Sequence, residues 1–355
     1  MITPGRLVLV GPYPPPWGGI SVHLRALRAL AERNRIDAEI LDVGEAHGTR
    51  TGEGRIFDGG SRIRFLAGLA KALGRGDAVH VHTPGNNLKA WMVALAASRP
   101  GRFEDRRLLT VHSGLAPAFL GSSSRARSMA RSASEGYRRI LCTNDGIAGA
   151  LEACGIPRAK LRVISPFLPS DDVTRRVPAR ARIARSRHSP LLACALAPGV
   201  QYGEQVLLDA LAILADRRKR IGCVVFGPDT MSGLPGKVAA LGLEGVVIPL
   251  GQIDHDEALG VIELSDVFVR PTLADGDSLS VREALGLGVR VVASDAAPRP
   301  PGAVTFAAGD ASALAAAIDS SLAGGLPGKG GGGGGEASAL EAWRTIGLAM
   351  QGATS

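Results

Sequence analysis

Short β-branched or aliphatic segments alternate with amphipathic helical patterns from one end of this 355-residue chain to the other. Such alternation is typical of α/β proteins, in which helices connect the strands of a parallel sheet. A chain of this length exceeds what one hydrophobic core usually organises, so we expect two domains. The stretch 171–190 is rich in Arg, Ser and Pro and has no apolar period, which predicts a linker between them.

Segments with the composition of buried strands lie on both sides of this linker. They are 7–10, 38–41, 78–81, 108–111, 140–143 and 161–164 before it, and 191–195, 223–226, 246–250, 267–269, 289–293 and 304–306 after it. Helical patterns cover 63–73, 90–97, 204–215, 256–264, 280–287 and 312–322. The sequence therefore predicts two Rossmann-like domains, residues 1–170 and residues 191–323.

The C-terminal part of the chain has a different character. An unbroken glycine tract lies within 324–336, cannot form a packed core, and predicts a flexible hinge. Beyond it, Leu340, Trp343, Ile346 and Met350 recur at helical spacing. We expect a terminal helix within 337–355 that docks on the first domain.

The formal charge of +8 and the high pI indicate an anionic partner, which is a nucleic acid, a membrane surface or a phosphate-bearing substrate. The basic residues are mostly Arg and are not interleaved with aromatic residues, which argues against nucleic acid. The apolar runs are far shorter than the roughly 18 to 20 residues of a membrane span. We expect a cytoplasmic protein that contacts the inner face of the membrane at most peripherally.

The four cysteines, Cys142, Cys154, Cys194 and Cys223, are widely spaced and form no C-x-x-C pair. This spacing argues against a zinc site and against a disulfide framework. We expect core thiols, and we expect no metal site elsewhere in the chain. His80 and His82 are expected to lie on opposite faces of one strand, so that at most one of them points to a ligand.

Ligands of open parallel sheets bind at the carboxyl ends of the strands, so the loops after predicted strands are the places to look for a site. In the loop after 7–10, Gly18 and Gly19 precede a helical pattern. Glycines let the backbone approach a ligand closely, and a helix start presents free N–H groups to a phosphate. A stiff proline-rich turn with Ser21 as the N-cap explains the same residues equally well.

The loop after 267–269 carries Arg270, an acidic glycine-containing segment and the start of a helix near Ser280. Exposed N–H groups at 278–280 suit a diphosphate, and the Glu283 carboxylate can accept hydrogen bonds from both ribose hydroxyls. The residues alone favour another interpretation, in which Ser280-x-x-Glu283 is a capping box and Glu283 accepts from a backbone N–H.

This segment resembles the E-x7-E motif of family 4 glycosyltransferases, which have the GT-B fold. Asp275 stands where the first Glu is usual, Glu283 stands at the second, and G-D-S-L-S at 276–280 resembles the family's G-F-S-L-S. The likeness continues over nearly the whole chain, at 18–23, 79–82, 110–113, 284–285, 291–294 and 306–318.

The resemblance implies two Rossmann-like domains whose parallel sheets face each other across a cleft. It also implies roles for single residues: Gly18 and Gly19 near the donor diphosphate, His112 near the reacting sugar, Asp275 in contact with the sugar, Ser278, Leu279 and Ser280 as phosphate donors, and Glu283 on the ribose. The residue pattern alone allows a structural alternative for His112, in which it is a buried histidine at a strand end. Asp277 is as readily a loop cap as a ligand.

One departure from the family concerns the residues that hold the donor phosphates. The family usually has an Arg and a Lys-Gly pair after the first strand of the second domain, and both cations hold the donor phosphates. Here 195–203 reads A-L-A-P-G-V-Q-Y-G, with Tyr202 at the Lys position. Arg270 is the candidate substitute, because an Arg can bind two phosphate oxygens at once. The alternative is an Arg270 that pairs with Asp275 or Asp277 and orders the loop.

The resemblance implies a retaining transferase that moves a sugar from a nucleoside diphosphate sugar to a hydroxyl of a glycan or lipid-linked acceptor, without a metal or other cofactor. Synthesis of cell-surface polysaccharide or glycolipid would suit such an enzyme. A non-catalytic sugar-nucleotide-binding or partner protein on the same fold is the alternative. A dinucleotide-dependent oxidoreductase is disfavoured, because the loop after the first strand lacks G-x-G-x-x-G.

Overall fold

The computed structural model describes residues 6–44, 56–58, 61–98, 104–166, 174–228, 230–324, 335–345 and 348. The chain divides into two compact units. Unit 1 comprises Met1–Leu168 with Gly333–Ser355, and unit 2 comprises Pro169–Gly332.

The described part of unit 1 contains a parallel sheet of seven strands in the order β3-β2-β1-β4-β5-β6-β7. The strands are β1 Leu7–Gly11, β2 Ala38–Asp42, β3 Ile56–Asp58, β4 Ala78–Thr83, β5 Arg107–Val111, β6 Arg139–Cys142 and β7 Leu161–Val163. The helices of this unit are α1 Gly19–Arg33, α2 Arg62–Arg75, α3 Leu88–Ser98, α4 Ala116–Ser122, α5 Ser124–Glu135, α6 Asp145–Ala153 and, after unit 2, α13 Gly335–Thr345. Short 3₁₀ turns cover Glu104–Arg106 and Arg158–Lys160.

Unit 2 has the same layered architecture. Its sheet has the order β10-β9-β8-β11-β12-β13 within the described residues, and every pairing is parallel. The strands are β8 Leu191–Ala195, β9 Gly222–Phe226, β10 Val247–Gly251, β11 Val267–Arg270, β12 Arg290–Ser294 and β13 Ala303–Phe306. The helices are α7 Ala179–Arg187, α8 Glu204–Arg217, α9 Leu234–Ala240, α10 His255–Leu264, α11 Leu279–Gly286 and α12 Ala311–Ala323, with a 3₁₀ turn at Val200–Tyr202.

The central strands are buried along their length, as the near-continuous aliphatic segments predict for a parallel sheet covered on both faces. In each sheet the strand order reverses once, between β1 and β4 in unit 1 and between β8 and β11 in unit 2. Such a reversal opens a crevice at the carboxyl ends of the two neighbouring strands. The loops after these strands are therefore where each unit can bind a ligand.

The predicted linker is partly helical, which corrects the sequence interpretation of 171–190 as unstructured. Helix α7 lies inside it and buries Ala181 and Ala184 in the core of unit 2. The pattern was missed because its buried residues are two alanines among arginines, so the apolar period is faint.

Helix α13 packs on unit 1. Ala342 and Trp343 are buried there with Leu7, Leu9 and other residues of the same core. The Trp343 indole N–H donates to His80 Nδ1 over 3.2 Å. Of the predicted hinge, 325–334 lie outside the described residues, as do Ile346 and Met350.

The α/β prediction is confirmed, and each predicted strand is present with bounds shifted by at most two residues. Strand β3 was missed by the sequence analysis. All four cysteines are free and buried, which confirms the prediction of core thiols. None of the helices in the described part of the chain is long and apolar enough to cross a membrane.

Candidate active site

The loops after β8 and β11, the two strands at the reversal in unit 2, pack directly on each other. The Leu273 N–H donates to the Gln201 carbonyl over 2.8 Å. Gly203 has a φ of 71°, and a Cβ there would lie 1.8 Å from the Pro271 carbonyl oxygen. Only glycine satisfies both conditions, so the turn around Tyr202 is held against the start of the β11–α11 loop.

Arg270 lies at the centre of this pair of loops. Its Nε and Nη2 donate to the two oxygens of Asp275 over 3.1 and 3.3 Å. Its guanidinium carbon lies 5.7 Å from the centre of the Tyr202 ring. Tyr202, at the position where the family has Lys, therefore covers the guanidinium with an aromatic face. The ion pair with Asp275 is the loop-ordering alternative that the sequence left open for Arg270.

The Asp275 carboxylate accepts hydrogen bonds from two arginines. Besides Arg270, the Nη1 of Arg299 donates to Oδ2 over 3.0 Å, the Thr272 hydroxyl donates over 3.2 Å, and the Gly276 N–H donates over 3.1 Å. Burial on its own raises the pKa of this carboxyl, but the charges and hydrogen bonds of Arg270 and Arg299 outweigh it, so the pKa of Asp275 lies below its usual value. The carboxylate stays ionised, and a sugar hydroxyl must compete with these donors to reach it.

Arg299 was missed by the sequence analysis. Its side chain is only 3% exposed and also donates through Nε to the Ser294 carbonyl over 2.8 Å. Arg299 follows β12, the neighbour of β11, so the rule that sites lie after strand ends applies to it as well. Two guanidiniums on one carboxylate leave this loop cluster with an excess positive charge.

Helix α11 starts immediately after this cluster, with Ser278 as its N-cap and no side-chain cap. Its first backbone N–H groups, including those of Leu279 and Ser280, have no acceptor within the helix. The Ser278 and Ser280 hydroxyls lie 3.2 Å apart at the same end. Arg282, one turn in, donates to both oxygens of Asp277 over 2.7 and 2.9 Å, so Asp277 orders the loop as an ion-pair partner.

Glu283 is not part of a capping box, which corrects the interpretation that its residues alone favoured. The helix begins one residue earlier than predicted, so Ser280 is inside it and the N3 position falls at Val281. Instead, Glu283 Oε1 lies 2.7 Å from His255 Nε2. A carboxylate only accepts, so the proton is on His255 Nε2. Within the described residues, Oε2 of Glu283 makes no hydrogen bond and remains available to a ligand.

In unit 1, Gly18 is the N-cap of α1 and Gly19 its first residue, and both are exposed. A Cβ built on Gly19 would meet nothing within 4 Å, so the approach to this helix start is open. The alternative with Ser21 as N-cap is wrong, because Ser21 lies at N3. The Gly18 N–H donates to the Ser21 hydroxyl over 2.8 Å, and this hydrogen bond stabilises the turn that precedes α1.

Four imidazoles meet beside this helix start. His112 follows β5, and its Nε2 lies 3.1 Å from His82 Nδ1. The ring of His23, on α1, lies 5.4 Å from the His82 ring and 5.3 Å from the His112 ring. The ring centres of His80 and His82 are 4.1 Å apart, so the expectation that they lie on opposite faces is wrong. Residues two apart on a strand share a face.

The imidazoles of this cluster are neutral at pH 7. Burial lowers the pKa of His23 to about 4, although a hydrogen bond to the Pro166 carbonyl raises it slightly. Burial also lowers the pKa of His80 to about 3, and the neighbouring His23 lowers it further. Burial, followed by the neighbouring histidines, lowers the pKa of His82 and His112 well below the usual range. Neutral His112 can donate or accept a hydrogen bond but brings no charge to a bound sugar.

The sequence predicted no metal site, yet nitrogens of His23, His82 and His112 lie within 4.8 Å of one another. Neutral imidazoles are metal ligands. Tetrahedral zinc holds its nitrogen ligands about 3.4 Å apart at Zn–N distances of about 2.0 Å. In the structure, two of these rings are already hydrogen-bonded to each other.

Comparison with known families gives two matches that together cover most of the chain. The profile described as Glycosyltransferase Family 4 matches residues 17–172, and the one described as Glycosyl transferases group 1 matches residues 191–323. The first contains Gly18, Gly19 and His112, and the second contains Arg270, Asp275 and Glu283. A comparison with curated protein sequences gives no match.

Solved structures with the same fold include a protein in complex with UDP and glucose and two sugar-phosphate synthases. HepE of Anabaena, in complex with UDP and glucose, has a TM-score of 0.66 at 16% identity, with 97% of each chain covered. Sucrose-phosphate synthase of Thermosynechococcus elongatus has a TM-score of 0.67 at 17% identity, with 96% of each chain covered. The UDP-forming α,α-trehalose-phosphate synthase of Burkholderia xenovorans, in complex with glucose-6-phosphate, has a TM-score of 0.67 at 12% identity, with 97% of each chain covered.

The two parallel sheets, their order and these neighbours define the GT-B fold. Both family profiles describe glycosyltransferases. The chain is therefore a glycosyltransferase, whose residues 17–172 match the family 4 profile and whose residues 191–323 match the group 1 profile.

Proposed function

We propose that this protein transfers a sugar from a nucleoside diphosphate sugar to an acceptor hydroxyl, with retention of the anomeric configuration. The observation that carries the proposal is the Glu283 carboxylate of α11, which accepts a hydrogen bond from His255 through one oxygen and has the other oxygen available. A carboxylate in this position can accept hydrogen bonds from ribose hydroxyls while the helix start binds phosphate. The UDP complexes of the neighbour HepE support the donor class.

In this proposal the diphosphate binds to unit 2. The N–H groups at Ser278, Leu279 and Ser280 donate to its oxygens, and Arg270 supplies the positive charge that the absent Arg and Lys supply in the family. Backbone dipoles and a cation fixed before the reaction stabilise the leaving diphosphate as its charge develops. On unit 1, the open helix start at Gly18 and Gly19 presents backbone N–H groups that suit a phosphate.

Two residues are proposed to act on the sugar itself. His112 is the catalytic residue that contacts the reacting sugar, as a neutral imidazole whose position is set by His82. Asp275 is assigned to the sugar by the family motif. Because five donors already bind its carboxylate, we expect it to act chiefly as a positioning residue that orients Arg270.

The acceptor is proposed to be a glycan or lipid-linked hydroxyl in the synthesis of cell-surface polysaccharide or glycolipid. The protein would then work in the cytoplasm at the inner face of the membrane. The excess of positive charge supports contact with an anionic surface. No nucleic-acid partner is proposed.

Transfer is proposed to need no metal or other cofactor, and the three-histidine group makes this a point to test. Dialysis against a chelator should leave transfer unchanged, and metal analysis of the dialysed protein should find none. If dialysis abolishes transfer and added Zn²⁺ or Mg²⁺ restores it, transfer depends on a metal.

The decisive experiment combines calorimetry and product analysis. Uridine, guanosine and adenosine diphosphates are titrated into the protein, and the matching nucleoside diphosphate sugars are then supplied with lipid-linked and free sugar acceptors. We expect one nucleotide to bind and the product to keep the donor's anomeric configuration by NMR. An inverted product would overturn the retaining mechanism but not the transfer.

A non-catalytic sugar-nucleotide-binding protein is the second candidate, and a specific observation favours it. Tyr202 occupies the position of the family's phosphate-binding Lys, and Arg270 is already paired with Asp275. Binding of a nucleotide sugar without hydrolysis or transfer to any acceptor would support this candidate.

A further inference from the structure

The outer face of helix α2, defined by Ile63, Leu66, Ala67 and Ala70, is apolar and exposed. The helix buries Phe65, Leu69 and Ala72 toward the sheet of unit 1. On its other side, Ile63 is 81% exposed and Leu66 is 53% exposed, and the two alanines are also exposed. The positions follow the i, i+3, i+4, i+7 spacing of one helix face. The helix is therefore apolar both toward the core and toward solvent.

The charged side chains of α2 itself all have one sign. Exposed Arg62, Arg64 and Lys71 flank the outer face, and α2 contains no Asp or Glu. Arg62 is the first residue of α2, where the helix dipole disfavours cations and favours anions. An anionic surface beside this end of the helix would offset that unfavourable interaction.

A neighbouring aromatic residue extends the surface. Phe57, on β3, is exposed, and the Lys71 ammonium lies 5.5 Å from the centre of its ring. Large apolar side chains bordered by cations are the combination found on helices that lie in a membrane interface.

We propose that the outer face of α2 binds an anionic phospholipid surface. Ile63 and Leu66 enter the boundary between head groups and acyl chains, while Arg62 and Lys71 bind lipid phosphates. A second copy of the chain is the less suitable occupant, because pairing of two such faces would bring cations of the same sign together. This proposal rests on the membrane contact within the proposed function and on no other part of that function.

The test is co-sedimentation of the full chain with vesicles, without donor or acceptor, so that failure of transfer and failure of membrane binding are separate results. Vesicles of phosphatidylcholine and phosphatidylglycerol in equal amounts are compared with vesicles of phosphatidylcholine alone. We expect binding to the mixed vesicles only, and weaker binding as salt is raised. Loss of one arginine, as in Arg62→Gln, should weaken binding by about fivefold.

Leu66→Glu should abolish vesicle binding, since it removes an inserted side chain and adds a repelled charge. The matched control is Met92→Glu on α3, because Met92 is also 53% exposed in the same unit. It should bind vesicles like the unmodified protein. Circular dichroism checks that both variants are folded.

Three results would overturn the proposal: no binding of the unmodified protein to mixed vesicles, equal binding by Leu66→Glu, or equal loss of binding in Met92→Glu. Analytical ultracentrifugation then measures the oligomeric state of the unmodified protein and of Leu66→Glu. A dimer that Leu66→Glu dissociates would show that a second copy covers the outer face of α2.

Discussion

His255 Nε2 lies 2.7 Å from Glu283 Oε1 and fixes the carboxylate that the family motif assigns to the donor ribose. His255 is the first residue of α10, Glu283 lies in the middle of the neighbouring helix α11, and both side chains are mostly buried. A hydrogen-bonded partner of this kind holds a binding group in one rotamer before the ligand arrives. Glu283 is therefore free of the helix cap and already oriented.

Glu283→Gln should weaken binding of the donor nucleotide by about 1.5 to 3 kcal/mol, because one charge-assisted hydrogen bond in a buried site is lost. Isothermal titration calorimetry measures the affinity, and a thermal melt checks the fold. His255→Gln keeps a donor near Glu283 and should have the smaller effect on affinity. Unchanged affinity together with a lower melting temperature in Glu283→Gln would assign Glu283 a purely structural role.

Arg270→Ala should reduce the affinity advantage of a nucleoside diphosphate over the bare nucleoside, since the diphosphate then loses its cation and keeps only the backbone N–H groups of α11. The chain offers a matched control in Arg282, which pairs with Asp277 in the same loop at the same sequence separation. Arg282→Ala should leave that advantage intact. If Arg270→Ala weakens both ligands equally, Arg270 only orders the loop, and the diphosphate depends on the backbone N–H groups of α11.

Tyr202→Lys should tighten diphosphate binding by roughly tenfold, because it places a second cation where the family has one, and a hydrogen bond to a charged group contributes about 1.5 to 3 kcal/mol. The same change should lower the melting temperature of the free protein, since Lys replaces an aromatic face beside the Arg270 guanidinium. Gln201→Lys adds the same charge one residue away and serves as the control. Weaker diphosphate binding by Tyr202→Lys would show that this loop does not face the phosphates.

Protein stability should fall as the pH is lowered from about 6.5 toward 4, because the buried histidines are neutral in the folded chain. The pKa of His23 is lowered to about 4 and that of His80 to about 3, so the unfolded state binds more protons in this range. Their contribution is fully present above pH 6.5 and is lost as the pH falls. Thermal melts across this range measure it, and His80→Asn should flatten the profile. Asp275, whose pKa is lowered, acts at more acidic pH and does not explain a decline above pH 4.

The sequence by itself determined the elements of the two sheets and the motif that carries the candidate site. Burial of a parallel strand on both faces requires a continuous aliphatic segment, and that signal is local, as in β4 and β9. The motif at Asp275 and Glu283 is equally local, because both residues lie in one strand-loop-helix segment. Helix α7 was not predicted, because its two buried alanines give almost no local signal.

Only the tertiary structure decided which side chains act together. Arg299 reaches Asp275 from 24 residues away, His255 reaches Glu283 from 28, and His112 reaches His82 from 30, while Trp343 reaches His80 across 263 residues. No periodicity encodes these partners, because each pair is brought together by strand order and by helix packing. Local propensity sets where a strand or helix forms, whereas the hydrogen bonds of a buried charge depend on whichever chain segment the fold places beside it.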